Sequence, residues 1–467
     1  MESEIIQHTD GDAEPRWEGL REVAALALPI AIGSLSWTVM QLVDTLMVSW
    51  LGTDALAAVG SANLWSYTMA TFIMGVVSCV STFVAQSIGR EQLDNCARYA
   101  WQGFYIAIVS GILVLFFWPV TPFLFGIMGH SESVTRLETI YFQVRLLGFM
   151  FLALMGAQSA FFQAINRPMI PTYVAIVANV VNIVLDYLLI FGVWIFPRME
   201  IAGAAWATNA SLLLQCALMM GFFLHGSFHS KYHTRTNWKP DAAKMRELLH
   251  IGWPAGLAHL LDVLNWGIFT SFIVGRFGDI ALAAHNAALS LMHFSFMGAM
   301  AINQAIAPIV GQWIGRGNIL RAKARAYTAM RVAMVYLLVM GLIFAAAGGH
   351  ILKYGFKADP EVLRIGWTLL LCAAIFQLFD AINITLFGAL RGAGDTRWIA
   401  WLTAIAAYGL FLPAALIFAF VLEWGPIGAW AGATVYIIGL SAIVFWRFHS
   451  ERWRHINIFK EDSARTH

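Results

Sequence analysis

The sequence predicts an all-α integral membrane protein, with twelve transmembrane helices folded as two six-helix pseudo-symmetric lobes. Three observations carry this prediction. The chain of 467 residues is 59% hydrophobic and 12% charged, whereas soluble domains carry about 25% charged residues. Its apolar runs reach the roughly 18 to 20 residues needed to cross a hydrocarbon layer about 30 Å thick. The chain also repeats itself. Arg21 and Glu22 recur as Arg246 and Glu247, Pro29 as Pro254, Ala55 to Ala58 as Ala281 to Ala284, and Gln86, Ile88, Gly89 and Arg90 as Gln312, Ile314, Gly315 and Arg316, at an offset of 225 that becomes 226 after one inserted residue. Duplicated membrane bundles of this kind are typical of secondary transporters, with a site expected near mid-depth between the repeats.

Apolar runs divided by Gly, Pro and charge place spans near residues 22 to 49, 54 to 86, 98 to 123, 134 to 164, 169 to 195, 201 to 225, 246 to 274, 281 to 312, 323 to 350, 361 to 389, 397 to 421 and 427 to 448. Six fall in each half. An even number per half leaves both copies the same way up, related by an axis along the membrane normal. The chain thus divides into an N-terminal tail (1–20), an N-lobe (21–225), a linker (226–244), a C-lobe (245–449) and a C-terminal tail (450–467). Lys and Arg number 21 on the side that holds both termini and six on the other, with Arg145 and Arg331 inside spans. The positive-inside rule therefore predicts cytoplasmic termini and a multi-pass protein of the cell (plasma or inner) membrane.

Several function classes fall away. A net charge of +2 with scattered basic residues argues against nucleic acid as a partner. Cys79, Cys96, Cys216 and Cys372 are isolated, which points to small buried hydrophobes rather than a disulfide or zinc site. No HExxH, GxSxG or P-loop occurs, so neither a membrane-embedded enzyme nor an ATP-driven pump is expected. Residues 1–16 lack the basic start and apolar core of a cleaved signal peptide.

Carboxylates inside spans cost a few kcal/mol each on insertion scales, so each needs a reason. Four qualify: Asp44, Asp186, Asp262 and Asp380. Asn182 and Asp186 stand at i and i+4 on the fifth span and share a face. With Asp44 on the first span and the Thr208 hydroxyl on the sixth, they form a set of hard oxygen donors suited to a proton or a small alkali cation. Two acids close together titrate as a coupled pair. Asp262 and Asp380 form a second pair on spans seven and ten. Their repeat partners are Trp37 and Met155, so the two halves differ in chemistry. One half is expected to bind a driving ion and the other a cationic substrate. The alternative, that the acids only bond helices together, would be served by cheaper Ser or Asn.

Pro29 and Pro254 interrupt spans one and seven at matching positions, as static kinks or as hinges. Nineteen Trp, thirty-three Phe and nineteen Met offer polarizable walls for flat organic cations. His225, His229 and His233 read as a solvated helix end rather than a metal site. His259, His285 and His293 are candidates for proton handling. Arg145 has two open readings, ion pairing across the cavity and snorkelling.

The segments QLVDTLMVSWLGTDALAAVG, NIVLD, GAAWAT, GWPAGLAHLLD and FDAINITLFGALRGAGDT resemble the multidrug and toxic compound extrusion (MATE) family along essentially the whole chain. The resemblance implies a secondary active antiporter that exports organic, often cationic, compounds in exchange for Na+ or H+, without other cofactors and as a monomer. It implies cation coupling at Asp44, Asn182, Asp186 and Thr208, with any bound Na+ held there, and a bend at Pro29. Asp262 falls where a sodium-coupled branch has glutamate, and Asp380 where that branch has aspartate, so a C-lobe ion or substrate role follows for both. A lipid-linked precursor or polysaccharide flippase of the same superfamily is the alternative. Such proteins often have fourteen spans and a basic cavity, whereas this chain has twelve and mainly acidic intramembrane charges.

Overall fold

The computed structural model describes residues 16–355 and 359–459, and all regular structure among them is helical. The outermost predicted tail segments, 1–15 and 460–467, and the loop residue Lys357 lie outside the described residues. Twelve helices are long and apolar enough to span: α1 Trp17–Ser49, α2 Thr53–Gly89, α3 Leu93–Phe117, α4 Glu132–Ala164, α5 Met169–Phe191, α6 Glu200–Leu224, α7 Ala242–Phe277, α8 Asp279–Gly315, α9 Ile319–Gly355, α10 Pro360–Ala393, α11 Thr396–Val421 and α12 Gly425–His449. Two ends fall short of the sequence expectation for local reasons. The third span stops at Phe117, before Pro119, and a separate short helix starts at Thr121 with Pro122 in its first turn. The fifth stops at Phe191 because Gly192, at φ 66°, closes it in the left-handed conformation.

Two hydrophobic cores, one per lobe, organise the bundle, and α1 and α7 each serve both. Val23, Leu26, Ala27 and Ile30 at the start of α1 pack into the C-lobe core, while Val48 near its end belongs to the N-lobe core. In mirror fashion Leu248, Ile251 and Ala255 of α7 pack into the N-lobe core, and Ala258, Phe269 and Ile273 into the C-lobe core. Each helix therefore changes lobes beside its repeated proline, Pro29 or Pro254. Both prolines sit inside continuous helix rather than at a break. The Pro29 carbonyl accepts a hydrogen bond from the Thr172 hydroxyl of α5 at 2.8 Å, which ties the crossing point to the N-lobe.

The repeated motifs meet at the face of the bundle where α1 begins and α12 ends. Gln86 Nε2 donates to Gly392 O at 3.0 Å, and its counterpart Gln312 donates to Ala164 O at 2.7 Å. Beside them the backbones of α2 and α8 touch. A Cβ on Gly89 would lie 2.2 Å from Gln312 O, and one on Gly315 would lie 2.3 Å from Gln86 O. Only glycine admits such an approach. The repeated glutamates also bridge lobes: Glu22 accepts from Arg325 at 2.6 Å and from Trp313 at 3.2 Å, and Glu247 accepts from Tyr99 at 2.6 Å. After α12 the chain crosses the same seam. Trp453 stacks on Phe448 in the C-lobe, and Phe459 sets its edge against Phe83 in the N-lobe with the Arg90 guanidinium 4.3 Å above it.

The linker is less free than its polarity suggests. Gly226–Tyr232 forms a short helix whose Tyr232 ring packs against Phe161. Trp101 of α3 donates to Thr234 O at 2.8 Å, and the Gln102 side chain accepts from the Asp241 N–H at 3.0 Å. The linker is thus docked on α3. The closed seam makes a direct prediction. Gly89→Leu or Gly315→Leu should weaken the closed arrangement by about 1–3 kcal/mol through overpacking. Spin labels on the adjoining ends of α2 and α8 would then report a longer separation, and unchanged distances would refute the close-approach argument.

Candidate functional site

Asp44, Asn182, Asp186 and Thr208 come from three helices and converge inside the N-lobe. The α1–α5 and α5–α6 contacts bring them together, because Asn182 and Asp186 share one face of α5, as their spacing requires. In the amide orientation that satisfies its neighbours, Asn182 donates to Asp44 Oδ1 at 2.9 Å and to Asp186 Oδ2 at 3.1 Å, while its oxygen accepts from the Thr208 backbone N–H at 3.3 Å. The two carboxyls also lie within hydrogen-bonding reach of each other. That arrangement is stable only with a proton or a cation between them. Asp44 is 9% exposed, Asn182 and Asp186 are fully buried, and Asp186 Oδ1 has no hydrogen-bond partner. Among the described residues that oxygen is thus a buried hard donor left unpaired.

Two details differ from the sequence expectation. The Thr208 hydroxyl donates to Ala204 O of its own helix at 2.9 Å, so its contact to the cluster is through its backbone N–H. The pair also lies away from mid-depth and away from the boundary between repeats. Asp44 is five residues before the end of α1 and Asp186 five before the end of α5, roughly 7 Å at 1.5 Å per residue. The site is therefore within one lobe, toward the ends opposite the termini.

Of the two readings the sequence left for Arg145, burial removes snorkelling. The residue is 8% exposed, and its Nη1 donates to Asn209 Oδ1 at 3.3 Å within the same lobe. Asn209 in turn donates to Val144 O at 2.6 Å. Tyr141, one turn before Arg145 on α4, donates its hydroxyl to Asn63 Oδ1 of α2 at 3.1 Å. Tyr141, Asn63 and Asn209 were not singled out from sequence. The i, i+4 spacing of Tyr141 and Arg145 and the adjacency of Thr208 and Asn209 are the signals that would have found them.

The C-lobe acids behave differently. Asp380 is 8% exposed and hydrogen-bonds to Asn383, whose Nδ2 donates to Ile437 O at 3.4 Å. Asp262, expected among the buried acids, is exposed, a correction that follows from its position on α7 at the junction of the lobes. Its electrostatic neighbours are Tyr67 of α2, Tyr436 of α12 and Asp380 of α10, so it faces inward to the cleft rather than to lipid. The two acids share an electrostatic environment, and among the described residues no amide bridges them as Asn182 bridges Asp44 and Asp186. At the C-lobe position equivalent to Asp44 stands Phe269, fully buried against Phe411 with ring centroids 5.1 Å apart.

The histidine candidates are resolved by geometry. His285 is fully buried; Trp430 Nε1 donates to its Nδ1 at 3.1 Å, and its Nε2 lies 2.9 Å from Thr270 Oγ1, whose own proton goes to Trp266 O at 2.8 Å. Both ring nitrogens are thus committed with the proton on Nε2, a fixed neutral tautomer. His259 and His293 are exposed and belong to no such network. His225 caps the linker helix through the Ser227 N–H at 3.4 Å, and His233 bonds Asp94. Cys79, Cys96 and Cys216 are buried and Cys372 is half-buried. Arg391, counted from sequence among loop cations, is buried in the last turn of α10, where it donates to Asn303 Oδ1 at 2.9 Å.

Comparison with known proteins agrees with this architecture. The MatE family model matches the chain twice, over residues 29–188 and 254–417, once in each repeat. The multidrug resistance protein NorM of Burkholderia vietnamiensis is 31% identical over 445 residues, covering 92% of this chain and 93% of its own. A probable NorM of Burkholderia pseudomallei (strain K96243) is 30% identical, covering 92% of each chain. Among solved structures, an outward-facing multidrug resistance MATE transporter aligns at a TM-score of 0.85 with 18% identity over 94% of this chain and 98% of its own. The Vibrio cholerae MATE transporter VcmN aligns at 0.83 with 20% identity over 95% and 99%. A fold shared over the full length, a family match in both halves and relatives at 30–31% identity lead to one conclusion: the chain belongs to the MATE family of efflux transporters.

Proposed function

We propose that the protein is a secondary active multidrug antiporter that exports organic, often cationic, compounds against an inward flow of Na+ or H+ through the N-lobe site. The observation that carries this reading is the buried Asp44–Asn182–Asp186 cluster, in which two carboxyls share one bridging amide. Asn182 can offer its NH2 to the carboxyls or, after a half-turn of the amide, its oxygen to a cation beside them, with no backbone movement. One monovalent ion moving inward yields about 2.3 kcal/mol per 100 mV, enough for a modest uphill gradient of drug. Cation binding and drug binding then oppose each other, and the coupling is reciprocal.

The exposed Asp262, with Asp380 behind it, supplies negative charge to the cleft where an organic cation would sit. Pro29 and Pro254, at the two points where α1 and α7 change lobes, are the natural hinges for opening the seam between Gly89 and Gly315. The relatives named for multidrug resistance support the substrate class. Exchange rather than catalysis, a monomer in the inner or plasma membrane and cytoplasmic termini complete the reading, the last from the excess of Lys and Arg on the terminal side.

Three measurements test it. Asp44→Asn should abolish efflux, by at least tenfold, while the protein still folds and inserts; retained drug resistance in cells would sink the coupling assignment. Asp380→Asn should slow export of cationic compounds several-fold more than neutral ones, and an equal loss for both would remove its substrate role. In proteoliposomes loaded with a fluorescent organic cation, an imposed Na+ gradient or an imposed pH gradient should drive its movement. The gradient that works names the ion, and failure of both would favour the flippase alternative.

A further inference from the structure

We propose that Arg145 is a tethered countercharge of the N-lobe acid pair, a residue that tunes how tightly the coupling cation binds. It rests on the reading that Asp44 and Asp186 hold that cation. With both carboxyls ionised and Arg145 positive, the site carries one net negative charge, which a single monovalent cation neutralises.

The argument begins with cost. A guanidinium inside a membrane span is expensive unless other groups compensate its charge. Arg145 is nearly fully buried; among the described residues it donates to the neutral Asn209 oxygen, at 3.3 Å, and its Nε has no hydrogen-bond partner. An amide oxygen cannot balance a full positive charge. The acids that feel the Arg145 charge, Asp44 and Asp186, hang on Asn182, which is held by Thr208, the residue next to Asn209. In a low-dielectric interior such through-space attraction remains strong without direct contact.

The position of Arg145 is built rather than incidental. Asn209 reaches α4 only because residue 148 is glycine, since a Cβ there would lie 1.9 Å from Asn209 Oδ1. Asn209 then grips α4 through Val144 O at 2.6 Å and presents its oxygen to Arg145. The preceding residue, Thr208, holds Asn182 through its N–H, and Asn182 holds both carboxyls. Neighbouring residues of α6 thus fix the cation-binding acids and the countercharge in one frame. The ionisable groups facing this stretch are Asp44 of α1, Asp186 of α5 and Tyr141 of α4 itself. Thr208 and Asn209 from α6 and Asn63 from α2 are uncharged. Glu138, two turns outward on α4, is paired with His130 at 2.9 Å.

A fixed positive charge weakens cation binding, which favours release and therefore turnover. Its removal should produce a transporter that binds its cation too well. The test compares purified wild type, Arg145→Met, Arg145→Lys and Asp44→Asn, with 22Na+ binding measured at fixed pH and proton binding followed by pH titration of tryptophan fluorescence. Arg145→Met should half-saturate at about tenfold lower concentration of whichever cation binds, the scale of one nearby opposite charge, and should export drug more slowly. Arg145→Lys should restore the wild-type half-saturation. Asn209→Ala, which frees the tether but keeps the charge, should shift binding in the same direction by less, and it carries the test if Arg145→Met does not fold. If Asp44→Asn abolishes cation binding but the Arg145 and Asn209 variants leave half-saturation unchanged, the countercharge inference is overturned and the acid-pair reading stands. If Asp44→Asn binds cation and exports drug as the wild type does, the acid-pair reading falls, and this inference with it.

Discussion

Two carboxyl groups within hydrogen-bonding reach, sealed inside an apolar lobe, set the terms for the rest of the N-lobe. Neither can be ionised there without a partner, and both cannot be ionised side by side without a positive charge between or beside them. The surrounding residues answer that constraint in order: Asn182 bridges the two, the Thr208 N–H steadies Asn182, and Asn209 on the next position of α6 accepts a hydrogen bond from the Arg145 guanidinium. Among the described residues Asp186 Oδ1 alone of the pair's named oxygens is left without a hydrogen bond, and in the proposed exchange the cation supplies its partner. In the proposed exchange, stability and ion binding are in this sense one electrostatic problem, since a bound cation would lower the cost of keeping the acids buried.

The duplicated frame accommodates this asymmetrically. At the terminal face the two halves act as true repeats: Gln86 and Gln312, Gly89 and Gly315, Glu22 and Glu247 make matching interlobe contacts. Deeper in the bundle the copies diverge. Where the N-lobe has Asp44 the C-lobe has Phe269 in an aromatic cluster with Phe411, and the C-lobe has its own acids elsewhere, Asp262 exposed on α7 and Asp380 buried on α10. The shared seam lets the lobes close on each other, and the unlike interiors let one lobe hold an ion while the other faces the cargo in the proposed exchange. The swapped ends of α1 and α7 connect the two tasks, because each helix is anchored in one core at its start and in the other beyond its proline.

Much of this was legible in the chain. Twelve spans, their division into equal halves and the shared face of Asn182 and Asp186 follow from apolar length, repeat spacing and the i, i+4 geometry of one helix. Other features depend on what faces what. Asp262 and Asp380 look alike in sequence, yet one is exposed and the other buried, because α7 runs along the junction between lobes while α10 lies within one. His285 looks like a proton carrier until Trp430 and Thr270 are seen to occupy both of its nitrogens. Arg391 reads as a loop cation and proves to be buried, because the spacing of apolar residues cannot say how deep the last turn of a helix goes.

The amino-acid order alone therefore determined the membrane class, the pseudo-symmetry and the costly groups that had to be explained, since these depend on transfer free energies and helical periodicity, which are properties of residues and their spacing. Only the tertiary structure decided which costly groups come together, that they do so toward the ends of one lobe opposite the termini, and that Asn209, next to Thr208, holds Arg145. Those outcomes depend on helix packing. A glycine at position 148 admits Asn209, and Asn209 aims the guanidinium. No local pattern encodes that contact, because its partners are 61 residues apart, 209 minus 148, and meet only when α4 and α6 pack.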